Sequence, residues 1–355
     1  MPSFRRLFGL AASTFIFLAL CAAPRPAGAD DALSIVAGNP APGIFDTLEL
    51  IAAGAGFYKQ QHLDVTKNYA ANPSTAAQLV ATGKADLAAT NVEPILTGYE
   101  KGLRLQFIIS RQLRYSYVLA VPADSPIKTL GDFKGALLGE TTAGAASEIA
   151  TQSMLAGVGL KPSDYGFVPI GLGPQALSAI AAKRVTGLAF PYLEIVNDSI
   201  AGNMTFRVFR HPLVKDVGNV GYCATPAAIA AKADVFRRFA RAIVEAAVFV
   251  RINPAAAALL YVRGSGQRVT PEAVERTTRI LIGLTDDLPA ADPLSKRIGY
   301  FDPRGVYLYS TILAQYGVIK APVAGSLIVT NAFIPYANDF DRRAAFAFAK
   351  GFPTQ

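Results

Sequence analysis

Residues 71–93 read Ala-Asn-Pro-Ser-Thr-Ala-Ala-Gln-Leu-Val-Ala-Thr-Gly-Lys-Ala-Asp-Leu-Ala-Ala-Thr-Asn-Val-Glu, which divides in order into a cap, a short helix, a stop and a short strand. Asn72 or Ser74 caps a helix, with Pro73 at or within its first turn. Over 75–82 the apolar residues Ala76, Leu79 and Val80 share one helical face. Gly83 stops the helix as a left-handed cap. Residues 85–89 then form an apolar run of strand length that ends in polar Thr90 and Asn91. A helix start beside a polar strand tip is a common edge for a ligand cleft. Residues 173–190 repeat the plan with little identity. The echo fits two similar α/β lobes, and equally fits any chain that alternates helix and strand.

The neighbouring segments keep that alternation. A strand at 33–38 leads to a Pro/Gly loop at 39–43 and a helix at 45–61. A strand at 63–69, the stretch above, a helix at 92–101 and a strand at 105–110 follow. Such spacing predicts parallel strands joined by right-handed crossovers. Another strand, 115–121, comes at once, and the first crossing to a second lobe is placed at 115–122. That lobe carries strands at 136–139, 167–170 and 205–209, with a helix opened by 141–147. Residues 221–225 read as the return crossing, and 226–355 as mainly helical, with segments at 234–252, 271–284 and 306–316. The expected division is 30–118 plus 222–355 for the first lobe and 119–221 for the second.

Residues 1–29 are set aside. Arg5 and Arg6 precede an apolar run, and Ala27-Gly-Ala29 supplies small residues before Asp30, the pattern of a cleaved secretory signal peptide. Leu18-Ala-Leu-Cys21 fits a lipoprotein box poorly, so no lipid anchor is expected. No later stretch reads as a membrane span, because 242–262 carries Glu245 and Arg251 and is broken by Asn253-Pro254. The chain's formal charge is +8, of which Arg5, Arg6 and Arg25 supply three. The remaining excess is spread without a dense Lys/Arg run, so no nucleic-acid partner is expected. Cys223 is the one cysteine after residue 29, which excludes an intramolecular disulfide. A chain that is 52% hydrophobic can rely on its core instead.

Catalysis finds little support. His62 and His211 are the only histidines, and no Gly-x-Ser-x-Gly elbow, Walker loop or metal-spaced Cys/His cluster occurs. No catalytic residue, cofactor or metal is expected.

Three ordered motifs add a resemblance. Gly56-Phe-Tyr-Lys-Gln-Gln-His-Leu-Asp-Val65, Ala81-Thr-Gly-Lys-Ala-Asp-Leu-Ala88 and Asp124-Ser-Pro-Ile-Lys-Thr-Leu-Gly-Asp-Phe-Lys-Gly135 are similar to segments of the periplasmic substrate-binding proteins of ABC importers. The branch they resemble is the NMT1/THI5-like group, which includes sulfonate, taurine, nitrate and pyrimidine-precursor binders. His62 stands where that family usually has Gly, and Lys183-Arg-Val-Thr-Gly187 replaces its usual Gly-x-Val-Asp-Ala. The resemblance implies the type II periplasmic-binding-protein fold: two α/β lobes hinged by two crossings around a cleft. It implies a monomeric periplasmic receptor for a small solute such as a carboxylate, sulfonate or aminopyrimidine. The partner would be an inner-membrane ABC permease. A receptor for a membrane sensor kinase, and less so a THI5-like pyrimidine-synthesis enzyme, remain alternatives.

On that reading the cleft draws on strand tips and helix starts. Ser74, Thr75, Thr141 and Thr142 sit at expected helix N-termini, where free N–H groups receive anions, and also serve as plain caps. Gly144 lets a ligand approach backbone closely. Arg111 is the best single cation for an anionic solute. Thr90 and Asn91 end the organising strand, Glu93 suits an amine, and Asn39 and Phe45 flank the first loop. Tyr192 and Tyr222 are candidate aromatic walls, with core or hinge packing as the alternative.

Overall fold

The computed structural model describes residues 30–143 and 146–354. The signal-peptide reading of 1–29 and the candidate Gly144 lie outside the described residues. Strands β1 (Asp31–Ala37), β2 (Leu63–Tyr69), β3 (Leu87–Asn91), β4 (Gln106–Ser110) and β10 (Val220–Ala224) make one sheet, ordered β2-β1-β3-β10-β4. Strands β5 (Tyr117–Pro122), β6 (Leu137–Glu140), β7 (Gly166–Pro169), β8 (Gly187–Pro191) and β9 (Phe206–Arg210) make the other, ordered β7-β6-β8-β5-β9.

Each sheet departs from all-parallel pairing at one strand. β10 runs antiparallel to β3 and β4, and β5 runs antiparallel to β8 and β9. The cause is the route of the chain. It leaves β4 at the strand's C-terminal tip and starts β5 at the tips of the second sheet, so β5 must run backwards. β10 repeats this on the return. The expected strand at 115–121 is present as β5, and the expected crossings, 115–122 and 221–225, are therefore mostly strand, while the connecting segments are 111–116 and 211–219.

Both faces of each sheet are covered, which explains strands that are apolar without alternation. In β3, Leu87 and Ala89 join one core and Ala88 the other. In β5, Leu119 and Val121 face one side and Val118 and Ala120 the opposite one. The first lobe's largest core forms against the Ala233–Ile252 helix, whose Phe236, Phe239, Ala240, Ile243 and Ala247 recur at helical spacing and are buried. Asn253 breaks that helix and caps the next, Pro254–Gly264, by accepting from the Ala256 N–H.

The organising stretch folds as helix Pro73–Ala81 and strand β3, and its echo as helix Pro174–Ala181 and strand β8. The strand starts at Leu87, two residues later than the sequence suggested, because Asp86 has a different task. Its backbone N–H donates to the Ser34 carbonyl and its carboxylate accepts from the Ser34 N–H, tying the strand start to β1. Thr186 does the same in the second lobe, donating its N–H to the Leu137 carbonyl while its hydroxyl accepts from the Leu137 N–H. Threonine in place of the family's usual aspartate keeps the same bridge.

The other two departures also keep their turns. His62 and Lys183 adopt left-handed backbone, at φ 51° and 54°. Lys183 closes its helix with the bonds Lys183 N–Ile180 O and Arg184 N–Ala179 O, as Gly83 and Lys84 do in the first lobe. The His62 turn is held from outside by Arg238, which donates to the carbonyls of Gln61 and His62 and to the Asp31 carboxylate. A side chain in this region strains the backbone, so His62→Gly and Lys183→Gly should each stabilise the fold by about 0.5–1 kcal/mol. Urea denaturation of the single variants checks this, and a loss of stability in both would contradict it.

Candidate functional site

The tips of both sheets meet around the two connecting segments, and a polar network ties these together. Asn219 accepts the Ser116 N–H at 3.0 Å and donates to Glu93 Oε1 at 2.9 Å. The Tyr115 hydroxyl lies 3.3 Å from the same carboxylate oxygen and 2.6 Å from the Tyr309 hydroxyl. Asn91 donates to the Tyr117 hydroxyl at 3.0 Å, joining β3 to β5 across the two sheets. Burial pushes the Glu93 carboxyl up against the pull of its hydrogen bonds. Glu93 is thus a buried pin between the segments, and the amine-binding role read from its sequence position is not carried forward.

Arg111 is placed differently from the sequence expectation. It is buried, with Nη2 3.3 Å from Glu49 Oε2 and the guanidinium 5.2 Å above the Tyr222 ring. Lys67 sits 3.0 Å from the other Glu49 oxygen and 2.5 Å from Asp46. Burial works to raise the Glu49 carboxyl, but Arg111 and Lys67 outweigh it and hold it low. Two acids and two bases make a closed, neutral cluster inside the first lobe. Tyr222 is fully buried there, packed edge-on against Phe239, and presents no wall to a ligand.

The cation at the tips is Arg210, which sequence reasoning missed. It ends β9 and stacks 4.1 Å over the ring of Tyr192, which follows β8. The two residues span the start of β5, which lies between their strands. Asp287 accepts from Arg210 Nη2 at 3.0 and 3.3 Å, while Nη1 is buried and makes no hydrogen bond among the described residues. Arg114 lies 3.7 Å from the same carboxylate, and the Asp287 carbonyl accepts the Leu113 N–H at 2.9 Å. One carboxylate therefore holds a residue of the first connecting segment and the residue that opens the second. An arginine directly after the expected strand 205–209 is the signal that the sequence offers. Phe45 and Tyr192, named separately from sequence, do come together: they pack with Leu193, Ile280 and Leu284 where the lobes touch.

The remaining candidates are mostly committed to local structure. The Thr75 N–H and hydroxyl both donate to the cap Asn72, while Ser74 is exposed. Thr90 is buried and donates to the Pro73 carbonyl, and Asn39 donates to the Ala41 carbonyl. Thr141 and Thr142 are themselves not helical: β6 runs to Glu140, the two threonines form a bend, and the next helix is described from Ala146. Gly38, another residue the sequence reading passed over, lets β1 end against that first-lobe helix: a Cβ there would lie 2.7 Å from Pro73 Cα.

A serine–histidine pair exists but is wired the wrong way for catalysis. His211 Nδ1 accepts the Leu213 N–H, which places the ring proton on Nε2, 3.2 Å from Ser153 Oγ. Ser153 in turn donates to the Ala150 carbonyl. The imidazole donates to the hydroxyl and cannot take its proton. Burial also pushes His211 down to about 4. Among the described residues no group of three or more potential metal-binding side chains occurs, and no helix is long and apolar enough to cross a membrane.

Comparison with solved structures fits this geometry. A protein from Bordetella bronchiseptica superposes with TM-score 0.64 at 20% identity, covering 87% of this chain and 97% of its own. The periplasmic aliphatic sulphonate binding protein SsuA of Escherichia coli gives 0.62 at 16% identity, over 85% and 92%. A Candida albicans protein described as having the generic periplasmic binding protein fold gives 0.59 at 14%, over 85% and 96%. The chain thus has the two-lobed α/β fold of periplasmic binding proteins. The NMT1/THI5 like family profile matches residues 47–257, and the chain belongs to that family. No curated protein matches its sequence.

Proposed function

We propose that the protein is an exported solute receptor: its lobes close on a small polar or anionic organic solute, which it delivers to an ABC permease. The observation that carries the reading is Arg210. Its guanidinium is braced by Asp287 and Tyr192 at the tips of the second sheet, and one nitrogen is left uncommitted. A fixed guanidinium with free donors suits a carboxylate or sulfonate, and the Phe45 and Tyr192 rings, packed on the same cluster where the lobes touch, supply apolar contacts. The SsuA fold neighbour, which binds aliphatic sulphonates, supports the same solute class. Binding rather than turnover is supported by His211, whose ring donates to Ser153 and offers that hydroxyl no proton acceptor.

Thermal-shift screening of sulfonates, carboxylates, nitrate and aminopyrimidines tests the proposal, since a bound solute raises apparent stability by mass action. Anions are expected to stabilise. Arg210→Lys keeps a charge for Asp287 but loses the planar donor fork, and should weaken a stabilising anion by about tenfold or more. Stabilisation by aminopyrimidines alone, unchanged in the variant, would remove Arg210 from the site.

A further inference from the structure

On the outer flank of the first lobe, beyond β4, a cavity of about 630 Å³ is lined by Lys296, Arg297, Tyr300, Ile334, Tyr336 and Asp339, among others. Its size is that of a small-molecule site. The segment carrying Tyr300 lies along the β4 edge, where the Gly299 carbonyl accepts the Ser110 N–H, so the wall is anchored to the sheet.

Four basic side chains gather at this cavity: Lys296 and Arg297 line it, Arg241 contacts its Tyr336 and Arg342 its Asn338. Lys296, Arg297, Arg241 and Arg342 make no ion pair among the described residues. Arg241 instead donates to the Tyr336 carbonyl at 2.7 and 3.1 Å and lies 3.8 Å over its ring. Arg342 donates to the Ser295 carbonyl and to Asn338, whereas its Nε and Nη1 are buried without a partner. Arg297 stacks 3.9 Å over Tyr300. Against these four cations stand the exposed Asp339 and Asp292, and Glu245, whose carboxyl burial pushes up to about 7. Positive potential left unneutralised in a concavity draws anions, and the Tyr300, Tyr336 and Ile334 walls favour one with an apolar body.

We propose that this cavity is a second binding site, separate from the interlobe region, for a small organic anion bearing an aromatic or alkyl body on a carboxylate or phosphate head. Phenyl phosphate, with inorganic phosphate as control, is a suitable probe for calorimetric titration of the full mature chain. Saturable one-to-one binding is expected, tighter than that of inorganic phosphate and weakening as NaCl rises from about 0.05 to 0.5 M. The double variant Lys296→Ala/Arg297→Ala alters two exposed side chains, so folding is preserved, and it should bind about tenfold more weakly or worse. Arg210→Lys should leave this binding unchanged, which separates the proposal from the interlobe reading. Absence of saturable binding, equal affinity in the double variant, loss of binding in Arg210→Lys, or binding of polyglutamate but not of phenyl phosphate would each overturn it.

Discussion

Arg111→Ala should lower the stability of the protein by about 3–5 kcal/mol, because it leaves the buried Glu49 with one cation in place of two. Glu49 is almost wholly inaccessible, and its negative charge is supported by Arg111 at 3.3 Å and Lys67 at 3.0 Å. Lys67 is shared with Asp46, itself fully buried, so it cannot neutralise both acids. Removing the guanidinium also takes a cation from above the Tyr222 ring. Glu49 would then rise toward protonation, which limits the loss at acid pH and enlarges it at neutral pH. Chemical denaturation at pH 5 and pH 8 measures both effects. A variant of unchanged stability that no longer binds the solute would instead return Arg111 to the ligand-contact role its sequence position suggests.

That contrast shows which properties the sequence made legible. Helix and strand positions depend on neighbours within a few residues, and they were readable: the spacing in 234–252 and the cap–helix–glycine order of 72–83 both describe real elements. The His62 and Lys183 turns were doubtful from residue type, yet their backbone bonds impose the left-handed geometry whatever the side chain. Site roles depend on partners far away in the chain. Arg111 meets Glu49 across 62 positions, Glu93 meets Asn219 across 126, and Tyr115 meets Tyr309 across 194. An arginine after a strand looks the same whether a carboxylate waits beside it or not. The sequence therefore identified tip positions as a class, named Arg111, and passed over Arg210. The antiparallel β5 and β10 were missed for a related reason, since strand direction follows from which sheet the chain enters.

The second large effect concerns pH. Asp198 lies fully buried on the Tyr192–Gly202 helix, one turn from buried Glu194, and neither of its oxygens makes a hydrogen bond among the described residues. Burial first, and the like charge of Glu194 second, push its carboxyl up to about 7. The folded state thus holds this proton more tightly than the unfolded chain, whose aspartate titrates near its ordinary value. Its stabilising contribution is complete below about pH 4, declines as pH rises toward 7, and stays lost above that. His211 acts in the opposite sense: its depressed value means that stability falls as pH drops from about 6.5 to 4. The wild-type profile mixes both, together with Glu245, which also titrates near 7. Asp198→Asn isolates one contribution, because the fixed cost of a buried amide is independent of pH and cancels between two pH values. The stability of the variant relative to wild type should improve by about 2–4 kcal/mol between pH 4 and pH 8. A difference that stays flat across that range would mean that Asp198 titrates as an ordinary carboxylate and would overturn this account.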